Sequence, residues 1–269
     1  MNILLLGGTG FIGEYLTKNL NKRKDCQVSV AGRNDSMENN LYKNTEVLVI
    51  LTQPDENIMK GVVSFINTTI TLKKVLYLST FLLYPDSVNK CSEEVLPAPV
   101  SKYETDKFQE ELRLSEAIKN KDCKLSIVRL GNVYGDVKNA GIVNRLILSA
   151  LGKNDNLTIY GDSLTKTRDF IFIEDAVNLM DFLIFYSQQG QREVYNICSG
   201  INANLGEVIS QIERILNKKI VFTEGNPVVG EKRIICDNSK IRKLSNYQFK
   251  FDLVKGLEKT CRNYLNFYD

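Results

Sequence analysis

The chain has 269 residues, longer than a typical single domain and short of two full ones, so it can bury one large core and carry a smaller lobe. Hydrophobic residues make up 43% and charged residues 25%, and the net charge of +3 is spread without a long basic run, which argues against a nucleic-acid partner. Histidine is absent, which excludes Ser-His triads, Cys-His dyads and the commonest zinc sites, and no metal is expected.

The first apolar run, Met1 to Leu6, is too short for a signal peptide, and no stretch of about 18 apolar residues follows, so no membrane span and a cytoplasmic location are expected. The six cysteines lack metal-ligand spacing and read as reduced and mostly buried. Ile3–Leu6 reads as a strand, followed by a helix from Phe11 to Asn21 and a strand at Gln27–Ala31. Val47–Leu51 and Val75–Ser79 are apolar runs of the kind a buried parallel strand needs, with a crossover helix over Asp55–Thr69 between them. Pro97 and Pro99 precede a long helical pattern in which Ser101 and Glu104 have capping-box spacing and Phe108, Leu112 and Ser115 mark one face. Leu125–Leu130 and Val194–Cys198 are later strands. After Tyr134 the strand rhythm weakens, and Gly141–Leu151 and Leu205–Leu216 read as helices. The alternation implies an α/β fold: a doubly wound parallel sheet of Rossmann type over 1–133 and 159–199, with a smaller, mostly C-terminal substrate-binding lobe over 134–158 and 200–269.

Straight after the first strand, Gly7-Gly8-Thr9-Gly10-Phe11-Ile12-Gly13 has G-x-x-G-x-x-G spacing and runs into a helix. Gly7 permits a tight turn, Gly10 lets the backbone approach a pyrophosphate, and Gly13 allows close helix packing. The orphan amides at the helix start face the phosphates, so Gly7, Thr9, Gly10, Phe11, Ile12 and Gly13 are the candidate cofactor-binding residues. At the end of the second strand the sequence is Ala31-Gly32-Arg33-Asn34, with no carboxylate before Asp35. A guanidinium there suits a 2′-phosphate, which favours NADP(H) over NAD(H).

Tyr103 and Lys107 lie four apart on the long helix and share a face. A neighbouring ammonium stabilises phenolate and lowers the phenol pKa, which supplies proton transfer without histidine. Tyr134 and Lys138 have the same spacing but sit in a predicted loop, so Tyr103 is favoured.

Together these residues resemble the extended short-chain dehydrogenase/reductases that act on nucleotide sugars, the epimerase/dehydratase group. Besides the glycine loop and Tyr103-x-x-x-Lys107, the resemblance rests on four further segments. They are Leu78 to Tyr84, Arg129-Leu130-Gly131-Asn132-Val133-Tyr134-Gly135, Arg168 to Ala176, and Tyr195 to Gly200. It implies that Thr80 bonds the reacting sugar oxygen, Tyr103 exchanges the proton and Lys107 holds the nicotinamide ribose. Asn132 would contact the substrate near its diphosphate and Arg168 its nucleotide end. It also implies a homodimer through two helices of the Rossmann domain.

The chain departs from that pattern at several places. Phe81 and Leu82 stand where dehydratases carry an Asp-Glu pair, so dehydration is not expected. Tyr84-Pro85 replaces Tyr-Gly, and the stretch from Asn34 to Asn44 is too short for the usual third strand and its helix. Pro227-Val228-Val229 replaces a second arginine, for which Arg233 is the substitute. The leading expectation is an NADP(H)-dependent reductase of a nucleotide-activated 4-keto sugar. The alternatives are an NAD-dependent 4-epimerase with the same residues and a non-catalytic dinucleotide-binding module.

Overall fold

Six strands form one parallel sheet: β1 (Asn2–Leu6), β2 (Gln27–Ala31), β3 (Val47–Ile50), β4 (Lys74–Thr80), β5 (Lys124–Leu130) and β6 (Arg192–Ile197). Their order is β6-β5-β4-β3-β1-β2, with every neighbouring pair parallel. All residues of β3 and β4 are buried, as expected of central strands covered on both faces. The strand β2 alternates exposed and half-buried residues, as an edge strand does. The order reverses between β1 and β3, so Gly7 and Thr52, which follow the C-terminal ends of these strands, flank the point where open α/β sheets bind ligands.

The computed structural model describes residues 1–32, 35, 42–154, 156–226 and 232–268. Among these the sheet ends at β2, with no strand beyond it.

Three helices matter for the site: α1 (Phe11–Leu20), α2 (Glu56–Thr68) and α3 (Lys102–Ile118). Asp55 caps α2, its carboxylate accepting the amides of Asn57 and Ile58 at 2.9 and 3.0 Å. The buried face of α2 is Met59, Val62, Phe65 and Ile66, part of an apolar cluster with Val75, Tyr77, Leu114 and Ile118. The face of α3 differs from expectation. Leu112 is exposed and Phe108 and Ser115 are half-buried, whereas Glu104, Lys107, Glu110, Glu111, Leu114 and Ile118 are buried. These charged side chains can turn inward because polar partners meet them there.

The chain divides into two compact units. The first is Met1–Leu83, Pro97–Leu130 and Val177–Ile197, and it holds the parallel sheet. The second is Tyr84–Leu96, Gly131–Ala176 and Cys198–Asp269. Within the second, strand Arg168–Phe172 pairs in parallel with Asn132–Tyr134 and antiparallel with Asn202–Ala203. The stretch 159–176, grouped by sequence rhythm with the Rossmann domain, falls in this second unit, as do 84–96 and 131–133. Helices Ile142–Ala150, Leu205–Leu216 and Leu253–Tyr268 also belong to the second unit. The helix Leu205–Leu216 opens with a complete capping box between Asn204 and Glu207. Among the described residues no helix is long and apolar enough to cross a membrane, and no group of His, Cys, Asp and Glu is placed to hold a metal.

Candidate active site

The turn after β1 is held by two backbone bonds, Gly7 N–H to the Ala31 carbonyl at 3.0 Å and Gly10 N–H to the Gly7 carbonyl at 3.1 Å. Gly7 has φ +85°, the left-handed region that favours glycine. A Cβ on Gly13 would collide with the Gly7 carbonyl oxygen and the Gly8 backbone, so the first turn of α1 packs directly on the loop. A Cβ on Gly10 would meet only the Gly7 oxygen, at 3.4 Å. Gly10 is the N-cap of α1 and gives no side-chain cap, while Thr9 and Gly10 are exposed and Phe11 and Ile12 half-buried. An exposed helix N-terminus with uncapped amides and an open approach at Gly10 fits a pyrophosphate.

Thr80 ends β4 and Tyr103 opens α3. Ser101 caps α3, its Oγ accepting the Glu104 amide at 3.2 Å, and the Glu104 carboxylate accepts the Val100 amide at 2.8 Å. The reciprocal bond of the expected capping box thus reaches one residue further back. The Thr80 hydroxyl accepts the Leu82 amide at 3.2 Å and is hydrogen-bonded to the Tyr103 phenol. Tyr103 departs from the expected electrostatics: burial raises its pKa, the Glu110 charge adds to the rise, and only the Thr80 bond opposes it. The Lys107 ammonium is not aimed at the phenol. It donates to the carbonyls of Leu78 at 2.8 Å and Thr52 at 3.1 Å and is 3% exposed. Burial brings its pKa down to about 8, against the raising effect of Glu110 and Glu111.

Under this pair lies a polar floor that sequence reasoning missed. The Tyr77 hydroxyl donates to Glu110 Oε2 at 2.5 Å, and the Asp55 amide donates to Glu110 Oε1 at 3.3 Å. Lys107 Nζ stands 4.8 Å over the Tyr77 ring. Glu111 accepts from Ser79 at 2.6 Å and from Arg129 Nε and Nη2 at 3.2 and 3.0 Å. One signal was available: Lys107, Glu110, Glu111 and Leu114 are spaced as one helical face, and a helix so placed must bury something against the sheet.

Asn132 and Arg168 lie in the second unit on neighbouring strands. Asn132 Nδ2 donates to the Asp169 carbonyl at 3.0 Å, and Arg168 Nη2 donates to Ser163 Oγ at 3.1 Å. The Asp169 carboxylate accepts the Ser199 and Gly200 amides and the Ser199 hydroxyl, and burial pushes its pKa up to about 6. Tyr134, the alternative to Tyr103, ends a short strand rather than lying in a loop. Its ring is buried, its hydroxyl donates to the Leu253 carbonyl at 3.3 Å, and burial pushes its pKa up. Arg33 and the segment Pro227-Val228-Val229 lie outside the described residues.

The model of the NAD dependent epimerase/dehydratase family matches residues 51–198, more than half of the chain, and the chain belongs to that family. It is therefore an enzyme of the extended short-chain dehydrogenase/reductase group, whose members include nucleotide-sugar epimerases, dehydratases and reductases. Among its relatives is the GDP-6-deoxy-D-talose 4-dehydrogenase of Aggregatibacter actinomycetemcomitans, 26% identical over 98% of both chains. The dTDP-4-dehydro-6-deoxyglucose reductase of Escherichia coli is 25% identical, over 97% of this chain and 96% of that one. A solved structure of a Bacillus cereus UDP-glucuronic acid 4-epimerase mutant, in complex with UDP-4-deoxy-4-fluoro-glucuronic acid and NAD, superposes with a TM-score of 0.89. It is 25% identical, and the match covers 100% of both chains.

Proposed function

We propose that the chain reduces the 4-keto group of a nucleotide-activated deoxysugar with NADP(H). The observation that carries this reading is the Tyr103 phenol, bonded to the Thr80 hydroxyl and held in its protonated form by burial. A protonated phenol is a proton donor, which is what a carbonyl oxygen gaining negative charge requires. The glycine loop, with Thr9, Gly10, Phe11 and Ile12, would hold the cofactor's pyrophosphate. When bound, the reduced nicotinamide supplies the hydride. Tyr103 donates its proton to the sugar oxygen, and Thr80 orients both oxygens. Lys107 spends two of its three donors on carbonyls, and the third is available to a ribose hydroxyl. Asn132 and Arg168 would take the diphosphate and nucleotide end of the substrate. Phe81 and Leu82, which cannot move a proton, argue against dehydration.

The preference for the 2′-phosphate rests on the sequence around Arg33 and on Asp35, whose carboxylate is already bonded to the Gly32 amide at 2.7 Å. A second reading, an NAD-dependent 4-epimerase, is favoured by the likeness to an NAD-bound 4-epimerase. The deciding experiment mixes purified protein with NADPH or NADH and nucleotide 4-keto-6-deoxysugars and follows loss of the reduced cofactor. Stoichiometric consumption of NADPH supports the reductase. Retained NAD, with exchange of C4 epimers and no net consumption, overturns it. We also propose pairing with a second copy through α2 and α3, whose half-buried Val63 and Ala117 line a groove of about 720 Å³. A monomer by light scattering at micromolar concentration would overturn that pairing.

A further inference from the structure

We propose that Glu110 is a positioning residue for Tyr103 and Lys107: its buried carboxylate keeps Lys107 an ammonium and fixes the Tyr77 ring beneath it. Glu110 lies three residues beyond Lys107 and seven beyond Tyr103, so all three share one face of α3. It is 7% exposed, and each carboxylate oxygen has a donor, the Tyr77 hydroxyl on one and the Asp55 amide on the other. Neither donor carries a charge, so the anion's field is not cancelled by a partner. Glu111 differs, because the Arg129 guanidinium neutralises it and Arg192 approaches it at 3.8 Å.

The groups facing Lys107 can be named element by element. From α3 they are Glu110 and Glu111; from β4, the Tyr77 ring and the Leu78 carbonyl; after β3, the Thr52 carbonyl. Of these only the two carboxylates are charged, and Glu110, unlike Glu111, makes no salt bridge among the described residues. Two neutral carbonyls and an aromatic face compensate incompletely for the loss of water around an ammonium. Glu110 therefore supplies the charge that makes a buried lysine tenable. The same charge opposes ionisation of Tyr103, so it favours the proton-donating form of the phenol. Removing it lowers both pKa values, and both changes bring the loss of a protonated pair to lower pH.

The inference deepens the reductase reading, but its deciding measurement, an NMR titration, needs neither substrate nor cofactor. Protein carrying ¹³C-labelled lysine is titrated by NMR, with the Lys107 signal assigned by its absence in Lys107→Arg. Wild type should titrate at about 8. In Glu110→Gln the midpoint should fall by about one unit. In Tyr77→Phe, which breaks the same hydrogen bond but keeps the charge, it should stay within a few tenths of wild type. The alkaline limb of turnover should move with the NMR midpoint in each variant. Equal shifts in both variants, or no shift in Glu110→Gln, would reduce Glu110 to packing. If Glu110→Gln does not fold, a wild-type Lys107 already neutral at pH 7 overturns the proposal by itself. An NMR shift in a protein that reduces no sugar would leave this inference standing and sink the reductase reading.

Discussion

The helices α2 and α3 belong to the same unit and bury opposite kinds of face. The face of α2 is Met59, Val62, Phe65 and Ile66; that of α3 is Glu104, Lys107, Glu110 and Glu111 before it ends in Leu114 and Ile118. An apolar face gains stability from every side chain it hides, about 1.5–3 kcal/mol for a large aliphatic or aromatic one. A charged face loses its hydration and recovers it only through specific partners. Stability alone does not select four buried charges on one helix. Their concentration under Tyr103 accords with the site proposed on α3, while α2 serves the core.

The largest expected effect tests the site itself. Tyr103→Phe removes the proposed proton donor and leaves the ring, so turnover should drop by about 10²–10⁴-fold. Cofactor affinity and melting temperature should barely change, since the hydroxyl's partner is the Thr80 side chain. Calorimetry and steady-state rates on the same preparation separate the two. A comparable fall in melting temperature and rate would make Tyr103 a structural residue and α3 no different in kind from α2.

Next comes the ion pair. Glu111→Ala would leave the Arg129 guanidinium, 3% exposed, without its carboxylate, at a cost of about 3–5 kcal/mol. The triple replacement Glu111→Met, Arg129→Met and Ser79→Ala removes charge and partners together and should recover most of that stability. Denaturant melts decide it. If the triple variant is as unstable as the single one, the charges on α3 hold the fold, and the contrast with α2 weakens.

Much of this was legible beforehand, and where it failed the failure has a cause. The strand Gln27–Ala31 and the helix Leu205–Leu216 match the sequence reading at both ends, because alternation, capping residues and apolar spacing are local properties. The glycine spacing gave the turn after β1 and its uncapped helix start for the same reason. The face of α3 could not be read this way. Phe108 and Leu112 suggest an apolar stripe, but which side faces the sheet depends on partners supplied by β4 and β5, far away in sequence. The lowered phenol pKa expected from Lys107 failed similarly. Spacing puts the ammonium on the right face, yet it cannot reveal that the Thr52 and Leu78 carbonyls take it.

A smaller effect follows from pH. A lysine whose folded pKa is lowered is protonated below about 8 and neutral above it. If the ammonium supports reduction, activity should hold steady below that pH and fall about tenfold per unit above it. For folding the sign is opposite. Between about 8 and the ordinary lysine value the unfolded chain binds more protons than the native one, so Lys107 makes stability rise with pH over that window. Activity and stability should therefore diverge in mildly alkaline buffer. A parallel decline of both would point to general unfolding rather than to Lys107.

The mildest perturbation belongs to α2. Ile66→Val deletes one methylene from a fully buried side chain in the apolar cluster and should cost about 0.5–1.5 kcal/mol. No charged group takes part in that cluster's packing, so the alkaline limb of the rate profile should stay where it is in wild type. The loss should appear only as a lower denaturant midpoint with an unchanged slope. A displaced limb in Ile66→Val would mean that packing on α2 reaches the Lys107 titration, and the division of labour between the two helices would have to be given up.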